Sequence, residues 1–102
     1  MSKDIERIAH YYGFSHQANI LIEEMSELTK ELCKYNRATT IAEKVELHEH
    51  IYEEIADVEI MLEQMRVLIG GGRIDAYKTA KIERQLERIE EELKNKHDVQ
   101  EN

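Results

Sequence analysis

Apolar residues recur every three or four positions in four separate stretches of this chain, with polar or glycine-rich segments between them. Ile5, Ile8, Ala9 and Tyr12 share one face of a first helix, capped by Ser2 and closed at Gly13. Ser15 is the expected cap of a second helix reaching to about Tyr35, with Ala18, Leu21, Ile22, Met25, Leu28 and Leu32 as its apolar stripe. The run Asn36-Arg37-Ala38-Thr39-Thr40 reads as a polar connection in which Thr39 or Thr40 caps the next helix. A third, long helix then carries Leu47, Ile51, Ile55, Val58, Leu62, Met65 and Ile69 on one stripe. Gly70-Gly71-Gly72 ends it, because each glycine costs about 1 kcal/mol in a helix interior relative to alanine. A fourth helix from about Ile74 to Asn95 aligns Ile82, Leu86, Ile89 and Leu93. The spacing predicts an all-α, four-helix domain over residues 1–95, followed by a polar tail at 96–102 that is expected to fray.

Composition agrees with helix and narrows the partners. The chain has 102 residues, no proline and 35% charged residues, which suits one domain with few interruptions to its helices. Helices this long in so short a chain leave apolar stripes uncovered, so a homodimer or homotetramer is expected. A net charge of −8 argues against binding duplex nucleic acid, which needs a basic surface to displace counterions. No apolar run approaches the roughly 20 residues of a membrane span, and Met1-Ser2-Lys3-Asp4 opens without a signal core. A lone Cys33 makes neither an intrachain disulfide nor a zinc site by itself. These features lead to the expectation of a cytoplasmic protein with a partly buried thiol.

One acidic phrase is written twice. Ile22-Glu23-Glu24-Met25-Ser26-Glu27-Leu28 is echoed by Tyr52-Glu53-Glu54-Ile55-Ala56-Asp57-Val58. Each copy sets two carboxylates three residues apart, on one helix face and about one turn from each other. A solvated helix supports its acids with a cation three or four residues away, as Glu90 and Lys94 or Glu92 and Lys96 do in the fourth stretch. Leu28, Glu31, Val58 and Met61 follow four residues after Glu24, Glu27, Glu54 and Asp57; among positions three residues either way, only Lys30 offers a cation. At about 100° per residue, both pairs border their apolar stripes instead of opposing them. Four carboxylates at the rim of one helix–helix interface repel, and partly desolvated acids are costly without a counter-cation. Oxygen-only ligands suit Mg²⁺ or Mn²⁺ over zinc. A di-iron bundle is disfavoured, since no glutamate here has a histidine three residues later. His10, His16, His48 and His50 read as polar-face or partly buried side chains, and Met25, Met61 and Met65 as core.

Glu23-Glu24-Met25-Ser26-Glu27, then 26 residues, then Glu54-Ile55-Ala56-Asp57, resembles the signature of the MazG-like all-α nucleoside triphosphate pyrophosphatases. That superfamily also includes dimeric dUTPases and phosphoribosyl-ATP pyrophosphatase. The resemblance runs from about Tyr12 to Arg88, and the short single-domain layout is similar to phage and Gram-positive bacterial members. It implies a MazG-like bundle in which Glu24, Glu27, Glu54 and Asp57 hold Mg²⁺, with Mn²⁺ as the alternative. It also implies hydrolysis of an NTP or dNTP to the monophosphate and pyrophosphate. Lys34, Arg37, Lys81 and Arg84 become candidates for the β- and γ-phosphates, and Gln17, on the Glu24 face, for the base or a metal-bound water. Tyr11, Tyr12 and Tyr35 are candidate stacking rings, although the absence of tryptophan and a single phenylalanine leave no multi-aromatic base cage. Two rival expectations stand beside this one. The chain is instead a non-catalytic helical interaction module that keeps the fold, or it opens a different nucleotide phosphoanhydride.

Overall fold

Gly13 alone separates the first two helices, and its backbone explains how. The computed structural model describes residues 2–101, with side chains for residues 3–98. Four helices account for the architecture of the described residues: α1 (Ser2–Tyr12), α2 (Phe14–Arg37), α3 (Ile41–Ile69) and α4 (Gly72–Glu101). The Gly13 N–H donates to the Ala9 carbonyl (2.8 Å) and closes α1, while its own carbonyl accepts from the Gln17 N–H (3.1 Å) and opens α2. At φ 82° and ψ 170° Gly13 occupies a region essentially confined to glycine. Ser15 therefore lies inside α2 and is not its cap; Gly13 takes the N-cap position with no side-chain hydrogen bond. The capping expected of Ser2 lies outside the described side chains.

Three residues join α2 to α3. The Glu43 N–H donates to Thr40 Oγ1 (3.2 Å), and the Thr39 N–H donates to Glu43 Oε2 (3.3 Å). This near-reciprocal arrangement is the logic of a capping box, with Thr40 as the cap. It satisfies donors that would otherwise be orphaned at the start of α3. The second helix runs two residues past its expected end, so Lys34 and Arg37 occupy its last turn instead of a connection. There they complement the negative end of the helix dipole.

The chain divides into two compact units, residues 1–69 and 70–102. In the first, α2 packs chiefly on α3, and α1 lies against both. Its core is small: Ile5 and Ala9 from α1, and Ile51, Val58, Met61 and Met65 from α3, with Gln17 and Gln64 buried among them. Met61 and Met65 are core as expected, whereas Met25 is exposed; it sits on the flank of α2 that no other helix of this unit covers. Cys33 is exposed as well, contrary to the partly buried thiol expected, because it too faces away from α3.

The second unit is helix α4. It runs six residues beyond the expected end at Asn95, as no glycine or proline follows to stop it. Every residue from Asp75 to Asp98 is exposed. No helix among the described residues is long and apolar enough to cross a membrane.

Candidate metal centre

Helices α2 and α3 bring the two acidic phrases together. One carboxylate oxygen each from Glu24, Glu54 and Asp57 lies within 4.8 Å of the others. Glu24 and Glu54 are half-buried and Asp57 is exposed, so the trio sits at the rim of the helix pair. Burial first, then the charges of Asp57 and Glu54, hold the Glu24 carboxyl above its ordinary value of 4.5. Burial first, then Asp57, Glu27 and Glu31, raises Glu54 in the same direction, opposed by a hydrogen bond with Glu24. Carboxylates this close bond to one another only by sharing a proton. With all of them ionised, Glu54 Oε2 is buried and has no hydrogen-bond partner.

That orphaned oxygen tests whether a cation suits the site. Carboxylate oxygens gathered within 4.8 Å of one another can be drawn around one divalent ion by side-chain rotation, with no change in the helices that carry them. A divalent ion would satisfy Glu54 Oε2 and cancel the repulsion that raises Glu24 and Glu54. The donors are all oxygen, as hard cations require. The residues fit.

The register of α2 against α3 places the neighbours. Gln17 Nε2 donates to Gln64 Oε1 at 2.7 Å across the antiparallel pair. Seven residues forward on α2 and seven back on α3 lie Glu24 and Asp57, about two turns away. Three more residues reach Glu27 and Glu54, and four more reach Glu31 and His50. Beyond them an open groove of about 440 Å³ is lined by Glu31, Lys34, Arg37, Glu43, Glu46 and His50, with Ala38 and Leu47. One continuous polar seam thus runs from a buried amide pair, through the acids, to a groove carrying Lys34 and Arg37.

The remaining predicted residues fall differently. Glu27 is exposed and outside the close trio, although its charge reaches Glu24 and Glu54. Lys34 Nζ lies 3.5 Å from Glu31 Oε1, and the Glu31 side chain is only 12% exposed. Gln17 is buried, not presented to a ligand: it is 4% exposed, its Oε1 lies 2.6 Å from His16 Nδ1, and its amide nitrogen is taken by Gln64. Lys81 and Arg84 stand exposed on α4, in the second unit. No family model, curated protein or solved structure matches this chain.

Aromatic rings gather in two stacks. Tyr12 stacks on Tyr11 and on His16, with centroids 4.9 and 4.8 Å apart. His48 lies between Tyr35 and Tyr52, and Lys44 Nζ sits 5.4 Å from the Tyr35 ring centre. These contacts hold the rings against their own chain. Two residues of the seam escape a reading of spacing alone. Gln64 lies seven residues after Asp57, mirroring Gln17 before Glu24, and that symmetry was the available signal. Glu31 continues the α2 acid face one turn past Glu27.

Proposed function

We propose that this chain is a divalent-cation-dependent nucleoside triphosphate pyrophosphohydrolase, converting an NTP or dNTP to the monophosphate and pyrophosphate. The observation that carries the reading is the convergence of Glu24, Glu54 and Asp57 from two helices, with Glu54 Oε2 buried and unpartnered. These three side chains would hold Mg²⁺ or Mn²⁺. When bound, the cation supplies charge neutralisation at the triphosphate and a more acidic water for attack at the α-phosphorus. Glu27, outside the trio, remains available to take the proton from that water. Lys34 and Arg37 line the groove beyond the acids and suit the distal phosphates, which removes the need for a basic protein overall.

Self-association belongs to the same proposal. Ile22, Met25 and Leu32 of α2 and Tyr52, Ile55 and Leu62 of α3 are 39–59% exposed. They lie around their helices from the acids, by about 80–160°. A second copy covering this face would give a homodimer or homotetramer and leave the acid seam open.

Incubating the protein with Mg²⁺ or Mn²⁺ and a panel of common and modified NTPs, with detection of pyrophosphate and of the nucleotide product, tests the activity. Pyrophosphate and monophosphate in equal amounts are expected from at least one substrate. A diphosphate product would assign a different phosphoanhydride. No turnover across the panel, with metal binding intact, would make the chain a non-catalytic helical module.

A further inference from the structure

The apolar seam of α4 repeats with coiled-coil spacing. Ile82, Leu86, Ile89 and Leu93 follow one another at intervals of four, three and four residues, and are 44–60% exposed. That rhythm assigns Ile82 and Ile89 to d positions and Leu86 and Leu93 to a positions of a heptad. Thr79 and Lys96 take the next a and d positions, so the apolar stretch is four layers long. Glu83 and Glu90 fall at e, and Lys78, Gln85 and Glu92 at g. The seam is therefore narrow, confined to a and d, and flanked by charge. A single amphipathic surface helix has a broader apolar stripe, about 100° or more across.

The flanks distinguish a parallel from an antiparallel partner. In a parallel pair, each g residue faces the e residue five positions on in the other strand. Lys78 then meets Glu83 of the second copy, twice by symmetry, and Gln85 meets Glu90 without charge conflict. In an antiparallel pair with the same four layers aligned, Glu83 of one strand lies beside Glu90 of the other, also twice. Like charges there oppose pairing.

We propose that α4 is a self-association element, pairing in parallel register with α4 of a second copy through Ile82, Leu86, Ile89 and Leu93. Leucine at a with isoleucine at d shifts the preference from two strands toward three or four, in the same parallel register. This proposal does not depend on the enzymatic reading.

Crosslinking of the full chain tests it. In a Cys33→Ser background, Ile89→Cys is expected to form disulfide-linked dimers on mild oxidation, whereas Glu91→Cys, at the outward f position, is not. Crosslinking between Leu86→Cys and Ile89→Cys copies, but not between two Ile89→Cys copies, would overturn the parallel register. No crosslink of Ile89→Cys, either with itself or with Leu86→Cys, would overturn the association itself. As an independent reading, Leu86→Glu/Leu93→Glu should at least halve the solution mass measured by light scattering. An unchanged mass overturns the proposal. Lys78→Glu, which sets acid against acid twice per pair, should move the dissociation curve to higher protein concentration.

Discussion

Glu24, Glu54 and Asp57 on α2 and α3, and Glu90, Glu91 and Glu92 on α4, are the same chemical groups in opposite situations. On α4 the three acids are consecutive, spread around the helix and exposed to water. On α2 and α3 they arrive from two helices within 4.8 Å of one another, two of them half-buried. Water screens the first set and is partly excluded from the second. In the second, burial lifts the Glu24 and Glu54 carboxyl groups above their ordinary range, and Glu54 Oε2 is left without a partner. Acid content alone is common on helices; convergence with desolvation is what gives acids a use.

The contrast is sharpest in turnover. Glu54→Gln is expected to reduce pyrophosphate release at least about 100-fold, since loss of mere outer-sphere partners of a metal already costs about 10–100-fold. Glu91→Gln should leave the rate unchanged, and equal losses in both variants would erase the distinction between the two regions. A smaller effect is expected at the buried end of the seam. Gln64→Leu leaves the Gln17 amide buried without its acceptor, and should lower the unfolding free energy by about 1–3 kcal/mol in denaturant titration. Gln17→Leu/Gln64→Leu should recover part of that loss. If Gln64→Leu alone is neutral, the amide pair does not lock the register.

The smallest effect is a pH slope. Without divalent cations Glu24 and Glu54 bind protons more tightly folded than unfolded, so their contribution to stability is present at low pH. It is lost as pH rises from about 4.5 through their raised folded values. The melting temperature in chelator should therefore fall more steeply over that window for the parent protein than for Glu54→Gln. Matching slopes would show that the acids do not strain one another. Added Mg²⁺ should reverse the loss in the parent only.

Much of this was readable from spacing, for physical reasons. Apolar residues recurring every three or four positions and the absence of proline made four helices legible, and the glycine run marked the break, although Gly72 already belongs to α4. The doubled phrase singled out Glu24, Glu27, Glu54 and Asp57 as carboxylates beside an apolar stripe without cations, and the fold brings three of them together. What escaped was set by contacts between elements. Gly13 takes over the role expected of Ser15, since a one-residue junction leaves α2 already turning at Phe14. Gln17 shares the Glu24 face, but its amide is taken by Gln64, forty-seven positions away, which spacing along one helix does not show. Glu27 has the right spacing, yet its side chain stays in solvent outside the trio.

Direct titration of Mn²⁺, followed by the loss of its free-ion paramagnetic resonance signal, addresses the claim beneath all of this. The parent protein and Glu91→Gln should take up the ion with the same stoichiometry and affinity, and Glu54→Gln and Asp57→Asn should bind it far more weakly. Equal uptake by all four proteins would contradict a cation held between α2 and α3.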